Sequence, residues 1–202
     1  MTKSHRILRW LLAVCAIALL AGCATGPTIR TDYDPEADFS RYRTWAFYQP
    51  IAMEETGYTT FLTDRIKANV RREMDARGYR YDEKSPDLRV NFQGIVREKT
   101  DVWSVPRTDF QYFYSYRRRA YFAVPFWYDE TQVSQYREGT LTVDLVDSAR
   151  NRLVWTGDAI GRVTRKPPEE RAQDVDRAIS EIYLRFPYRA GSNEPVVPAK
   201  KQ

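Results

Sequence analysis

The chain has 202 residues, with 32 Lys and Arg against 27 Asp and Glu. Its formal charge of +5 is inflated by Lys3, Arg6 and Arg9 in an acid-free leader, and the chain beyond residue 22 carries only about +2, too balanced for a nucleic-acid binder. The two cysteines, Cys15 and Cys23, and the lone His5 all lie at or before residue 23, so the expected domain has no thiol or imidazole for a disulfide, a zinc site, or a Ser-His or Cys-His relay. No cofactor or metal is expected.

The leader has a basic start, an apolar run from Trp10 to Leu20, and small residues before Cys23. A transmembrane anchor is the alternative reading, but the run is short of the ~20 residues a bilayer core requires. Leu20-Ala21-Gly22-Cys23 resembles the lipobox of bacterial lipoproteins. That resemblance implies a signal peptide over residues 1–22, removal of it before Cys23, a diacylglycerol on the Cys23 sulfur and acylation of the new amino terminus. Ala24 in second place, rather than Asp, implies transfer to the outer membrane, with the domain facing the periplasm. Residues 23–31, small and polar with Pro27, read as a lipidated tether.

About 180 residues remain, enough for one domain with a respectable core. Thr28–Tyr33 is a plausible first strand, and Asp34-Pro35 a turn. Tyr42–Tyr48 alternates rings with small or polar residues as a half-buried strand does, and Phe39, Trp45 and Phe47 are candidate core anchors. Leu62, Ile66, Val70 and Met74 recur every four residues, which predicts an amphipathic helix over 60–77 capped by Gly78. Leu88–Gln93 alternates strictly and reads as a strand. The stretch 103–136 has no regular period and is read as an aromatic-rich insert. Beyond it, 138–147 and 153–159 form a hairpin with Leu141, Val143, Leu153 and Trp155 inward. Pro167-Pro168-Glu169-Glu170 opens a second helix with Val175, Ala178, Ile179, Ile182 and Phe186 on its buried stripe. Residues 188–202 are Pro-rich and read as a disordered tail.

These elements predict an α+β domain over 32–187, a two-layer arrangement with a mostly antiparallel sheet and both helices on one face. The run Asp32-Tyr33-Asp34-Pro35, Ala37-Asp38-Phe39-Ser40, Tyr42 and Thr44-Trp45-Ala46-Phe47 resembles the opening of the bacterial lipoproteins grouped as domain of unknown function 4136. Gly78-Tyr79, Pro86-Asp87-Leu88, Glu138-Gly139-Thr140-Leu141, Val154-Trp155-Thr156-Gly157 and Phe186-Pro187 extend the likeness. The resemblance implies an exported, usually lipid-anchored α+β domain without an assigned reaction, and it carries over no catalytic residue.

An enzyme would have to use carboxylates. Asp144 alternates with Val143 and Leu145 and is expected to face solvent, while Asp147 is expected on the opposite face. Glu138 and Asp158 are the pair a hairpin would bring closest, so a carboxylate-dependent enzyme acting on envelope polysaccharide is the alternative function. The favoured reading is a non-catalytic binding or structural module. Its candidate binding residues are Tyr112, Tyr114, Tyr116, Arg117, Arg118, Arg119, Tyr121 and Trp127, since rings and guanidinium planes hold sugars and dominate protein interfaces. The expected partners are the membrane, through the anchor, and an envelope protein or polysaccharide. Cys23→Ser is expected to abolish labelling by radioactive palmitate and outer-membrane fractionation. A variant that still labels and fractionates normally would overturn the lipobox reading.

Overall fold

The computed structural model describes residues 26–54 and 57–195. The expected signal segment, Cys23 and residues 196–202 of the expected tail lie outside the described residues. Among the described residues, six strands form one mixed sheet, accompanied by two α-helices. In chain order they are β1 (Thr28–Tyr33), β2 (Thr44–Phe47), α1 (Phe61–Ala76), β3 (Arg80–Tyr81), β4 (Leu88–Ser115), β5 (Ala120–Asp147), β6 (Arg152–Arg162) and α2 (Pro168–Leu184). The spatial order is β1-β6-β5-β4-β2-β3. The β1–β6, β6–β5 and β5–β4 pairs are antiparallel, and the β4–β2 and β2–β3 pairs parallel. Residues 28–31 therefore belong to β1 rather than to the tether, because Thr28 to Tyr33 pair in register with Ile160 to Trp155 of β6.

Helix α1 starts where a capping box is available. The Thr60 hydroxyl accepts from the Thr63 amide at 3.1 Å, and the Thr63 hydroxyl accepts from the Thr60 amide at 2.7 Å. It ends in a Schellman turn, with Gly78 at φ +83° and the Tyr79 amide donating to the Met74 carbonyl at 3.1 Å. Ile66, Val70 and Met74 are buried as their spacing predicts. Leu62 is exposed instead, because the inward position in the first turn is taken by the capping residue Thr63. Helix α2 begins with Pro168 in its first turn, followed by Glu169 and Glu170, and buries Ile179, Ile182 and Tyr183. Arg65 and Asn69 of α1 both donate to Asp176 of α2, and Arg77 of α1 donates to the Tyr183 carbonyl.

The core gathers Phe39, Trp45, Leu88, Val90, Phe92, Val143, Leu145 and Trp155 with the buried faces of both helices. One expected core residue is misplaced: Leu153 is 47% exposed. The register shifts between Leu145↔Trp155 and Val146↔Leu153, a β-bulge that inserts Val154. The extra residue lets Val154 and Trp155 both turn inward and sends Leu153 out. Gly157 is required beside that tryptophan, since a Cβ there would lie 2.6 Å from Trp155 Cη2 and 2.7 Å from Ile182 Cγ2.

The expected disordered tail is also corrected at its start. Tyr188 stacks on Phe39 with ring centroids 3.8 Å apart, the Gly191 amide donates to the Tyr42 carbonyl at 2.9 Å, and Asn193 Oδ1 accepts from the Phe39 amide at 3.0 Å. The ring supplies apolar area and the backbone bonds close the end of the core, which offsets the poor apolar content of the stretch. The clustered residues and those packed on them fall between Ile29 and Ala190, so a chain beginning at Ala24 keeps all the described packing.

Trp155→Ala is expected to cost ~3–5 kcal/mol, since it empties a site closed by Tyr183, Phe186 and Gly157. Denaturant unfolding measures it, and an unchanged midpoint would contradict the packing.

Candidate functional site

Strands β4 and β5 are each 28 residues long, far beyond what the sheet needs. Their register runs without a slip from Leu88↔Asp147 to Ser115↔Ala120. Neighbouring strand β6 stops at Arg162, opposite Glu138. From there outward β4 and β5 continue as a two-stranded ribbon, and the seventeen residues from Lys99 to Ser115 span about 55 Å at the rise of a strand. The region 103–136 is thus regular structure rather than an insert without a period. Its alternation is hidden in the sequence because aromatic residues point to both faces, so no polar side marks the beat. The enrichment in aromatic residues was the available signal.

The root is braced by polar contacts. Lys99 pairs with Glu138 at 3.6 Å, and Arg162 reaches Asp101 at 3.2 Å with its guanidinium 4.1 Å from the Tyr136 ring centroid. Midway, Arg107 bonds Glu130 across the strands at 2.7 Å. At the tip, Tyr116, Arg117, Arg118 and Arg119 form the turn, with Arg119 in the left-handed region at φ +48°.

Side chains directly opposite in an antiparallel pair share a face, and alternate residues change face. The pairs Tyr112↔Ala123, Tyr114↔Tyr121 and Thr108↔Trp127 therefore put Tyr112, Tyr114, Tyr121 and Trp127 on one face, joined by Phe110. This face continues the line of the core residues Leu88, Val90 and Phe92. Tyr112, Tyr121 and Trp127 are 69%, 72% and 74% exposed. The opposite face carries Trp103, Phe113, Phe122, Phe126 and Tyr128, which were not among the expected binding residues, together with Asp101, Arg107, Asp109 and Glu130. From Phe110 to Tyr128 there are three arginines and no acidic residue. The eight candidate binding residues thus divide into four rings on one ribbon face and four residues in the turn.

The carboxylates are arranged otherwise than expected. Glu138 lies opposite Arg162 while Asp158 lies opposite Thr142, so the two are four residues apart along the strands, about 13 Å. Asp158 accepts from the Thr142 hydroxyl at 2.6 Å and Asp144 from the Thr156 hydroxyl at 2.6 Å, a diagonal arrangement across β5 and β6. Asp144 is half-buried rather than fully in solvent. Burial pushes its carboxyl above the usual value and the nearby Asp158 charge adds to this, against the Thr156 hydrogen bond. Asp147 is buried on the core side, where it accepts from the Tyr42 hydroxyl at 2.8 Å, the Arg150 amide at 2.8 Å and the Arg150 guanidinium at 2.9 Å. Burial raises its carboxyl, but these bonds outweigh that and hold it below the usual range.

An open cleft of about 720 Å³ lies between α1 and the segment after β2, lined by Phe47, Tyr48, Pro50, Lys67, Arg71 and Tyr81 among others. Its charges have partners within the fold: Lys67 bonds Glu54 at 2.7 Å, and Arg71 sits 4.2 Å from the Tyr81 ring centroid. Among the described residues there is no cluster of three metal-ligating side chains, and no helix is long and apolar enough to cross a membrane.

The family described as "Domain of unknown function (DUF4136)" matches residues 29–188. The chain belongs to that family. The DUF4136 match runs from β1 to the segment just past α2 and takes in the whole ribbon. Comparison with curated proteins gives no match. Among solved structures, a PDZ domain protein from Parabacteroides distasonis ATCC 8503 is similar, with a TM-score of 0.52 and 13% identity over 80% of this chain and 36% of that one. The DUF4136 chain thus spans about a third of that protein, and the likeness is one of fold. A PelC dodecamer from Paraburkholderia phytofirmans matches with a TM-score of 0.36 and 13% identity, over 77% of this chain and 95% of that one.

Asp144 and Asp147 are expected to respond oppositely to pH. Asp144, raised in the folded state, favours folding while protonated and opposes it once pH passes its folded value. Asp144→Asn should therefore gain stability over the parent at neutral pH, and the gain should vanish in acid. Asp147, lowered in the folded state, contributes stability above the ordinary aspartate value of about 4 and loses it as pH falls through its folded value. Asp147→Asn should lower stability at pH 7 and flatten the acid limb. Thermal melts between pH 3 and 8 read both, and parallel profiles for parent and variants would refute the assignments.

Proposed function

We propose that this DUF4136 chain is an outer-membrane lipoprotein, anchored through Cys23 and facing the periplasm, whose domain is a non-catalytic binding module. In this reading α1 and α2 form a layer over the core face of the sheet, and the domain is a rigid base for the ribbon. The observation that carries it is the exposed aromatic ribbon ending in three arginines. A soluble protein rarely leaves so much contiguous apolar surface uncovered unless something binds there. Tyr, Trp and Arg are the residue types that dominate binding hot spots. The lipobox supports the location.

The alternative, a carboxylate-dependent enzyme on envelope polysaccharide, draws on the diagonal Asp144 and Asp158, one of them with a raised carboxyl. The binding reading is preferred because each of these carboxylates is already engaged by a threonine hydroxyl on the neighbouring strand.

The test is photocrosslinking in intact cells from position 114 or 121, in the parent and in a Tyr112→Ala/Arg118→Ala background carrying the probe at 121. Capture should fall at least tenfold in that background with a melting temperature within a few degrees of the parent, since exposed substitutions usually cost ~0.5 kcal/mol or less each. Undiminished capture would remove the ribbon from the functional account.

A further inference from the structure

The placement of the amino-terminal anchor relative to the ribbon identifies what the ribbon meets, given the lipid-anchored reading above. Thr28, the first residue of β1, pairs with Ile160 of β6. Ile160 pairs with Thr140 of β5, and Thr140 with Ile95 of β4. The chain therefore enters the sheet at the end from which the ribbon leaves. Pro27 sits against Gly161, one residue short of the end of β6. Five residue steps separate Thr28 from Cys23, a reach of at most about 17 Å. The ribbon extends about 55 Å beyond its root on that side. A lipid on Cys23 would thus hold the membrane well inside the ribbon's own length.

A ribbon of two strands has unpaired backbone donors and acceptors along both edges. The hydrocarbon core has nothing to satisfy them, whereas the wet headgroup layer does. The side chains fit the same layer. Tyr112, Tyr114, Tyr121 and Trp127 share one face, and tyrosine and tryptophan favour the membrane–water interface. From Phe110 to Tyr128 the ribbon and its turn carry only positive charge, from Arg117, Arg118 and Arg119, which complements anionic headgroups, and the first acid on the Trp127 face is Asp129, toward the root. The opposite face has rings too, Phe113, Phe122 and Phe126, but over Thr100 to Asp109 and the residues facing them it carries Asp101, Arg107, Asp109 and Glu130, where the first face has Asp129 alone.

We propose that the outer half of the ribbon is a membrane-interface binding element, which lies along an anionic lipid surface with the Tyr112–Tyr121–Trp127 face inward and its three turn arginines on the headgroups. The lipid on Cys23 and the ribbon would then grip one membrane at two points, fixing the orientation of the domain as well as its location.

The test uses the unlipidated chain from Ala24 to Gln202, so that its result is independent of Cys23, in sedimentation with phosphatidylcholine vesicles with and without phosphatidylglycerol. Binding to the anionic vesicles is expected and should weaken with salt. Replacing Arg117, Arg118 and Arg119 together by Ala should weaken it about a hundredfold. Tyr112→Ser/Tyr121→Ser/Trp127→Ser should weaken binding to both vesicle types. Tyr128→Ser, on the opposite face, should leave it within twofold. Melting temperatures identify any variant that has failed to fold. In that event Trp127→Phe decides: it should remove a blue shift of tryptophan emission seen when vesicles are added to the parent. No binding by the parent, or equal binding by parent and arginine variant, overturns the proposal. Concentration-dependent assembly through the ribbon without vesicle binding does so too, and would mark a second copy as the occupant. Palmitate labelling at Cys23 is scored separately. A labelled chain whose ribbon ignores vesicles keeps the anchor and loses this assignment, whereas an unlabelled chain that binds them loses the anchor and keeps it.

Discussion

The pairing of β4 with β5 is the constraint on which the rest of this structure depends. A shift of one residue would turn Leu88, Val90 and Phe92 away from Val143 and Leu145 and expose the core face to water. The same register, continued outward, decides which rings share a side of the ribbon. Core and candidate binding face are therefore read from one ladder of hydrogen bonds. The body fixes the register because only there does burial penalise a slip. Along the ribbon the penalty is small, since both faces are exposed, and the register is inherited from the root.

The elements flanking that ladder are held by local chemistry of ordinary strength. A capping box starts α1, a Schellman turn ends it, and proline with two glutamates opens α2. The partly exposed Arg65–Asp176 pair, with the buried Asn69 also donating to Asp176, then joins the helices. Exposed ion pairs contribute little each, so the helices owe their position chiefly to Ile66, Val70, Met74, Ile179 and Ile182. On the sheet side, the bulge at Val154 gives two successive inward residues where strict alternation allows one. Trp155 can then lie over Gly157 and against Tyr183 and Phe186.

Much of this was legible from residues alone, and the reasons for the misses are specific. Helix limits were readable because Thr60, Gly78 and Pro168 punctuate them chemically. The strand ends at Leu88 and Asp147 were readable because one face is apolar and the other is not. Leu153 was misread because a bulge leaves the strand composition unchanged while reversing the alternation. Glu138 and Asp158 were paired wrongly because registry across a hairpin depends on the turn and on that same bulge. The candidate residues Tyr112 to Trp127 were found by composition, but their division between a face and a turn required the register. Tyr188 to Asn193 went unrecognised since single aromatic and backbone contacts leave no periodic trace.

The ribbon also bears on how the body is assembled. Leu88 and Asp147 are distant in sequence, and closing so long a loop in one step is entropically unfavourable. The turn at Tyr116–Arg119 is local, however, and every pair from Ser115↔Ala120 inward closes onto one already made. Zipped from that end, the two strands deliver the core residues of β4 and β5 to each other through a succession of short closures. The uninterrupted register has a modular consequence as well. Removing equal numbers of residues from the two outer arms leaves each body residue opposite its present partner. The length of the arm is thus a variable that can change without altering the domain that carries it.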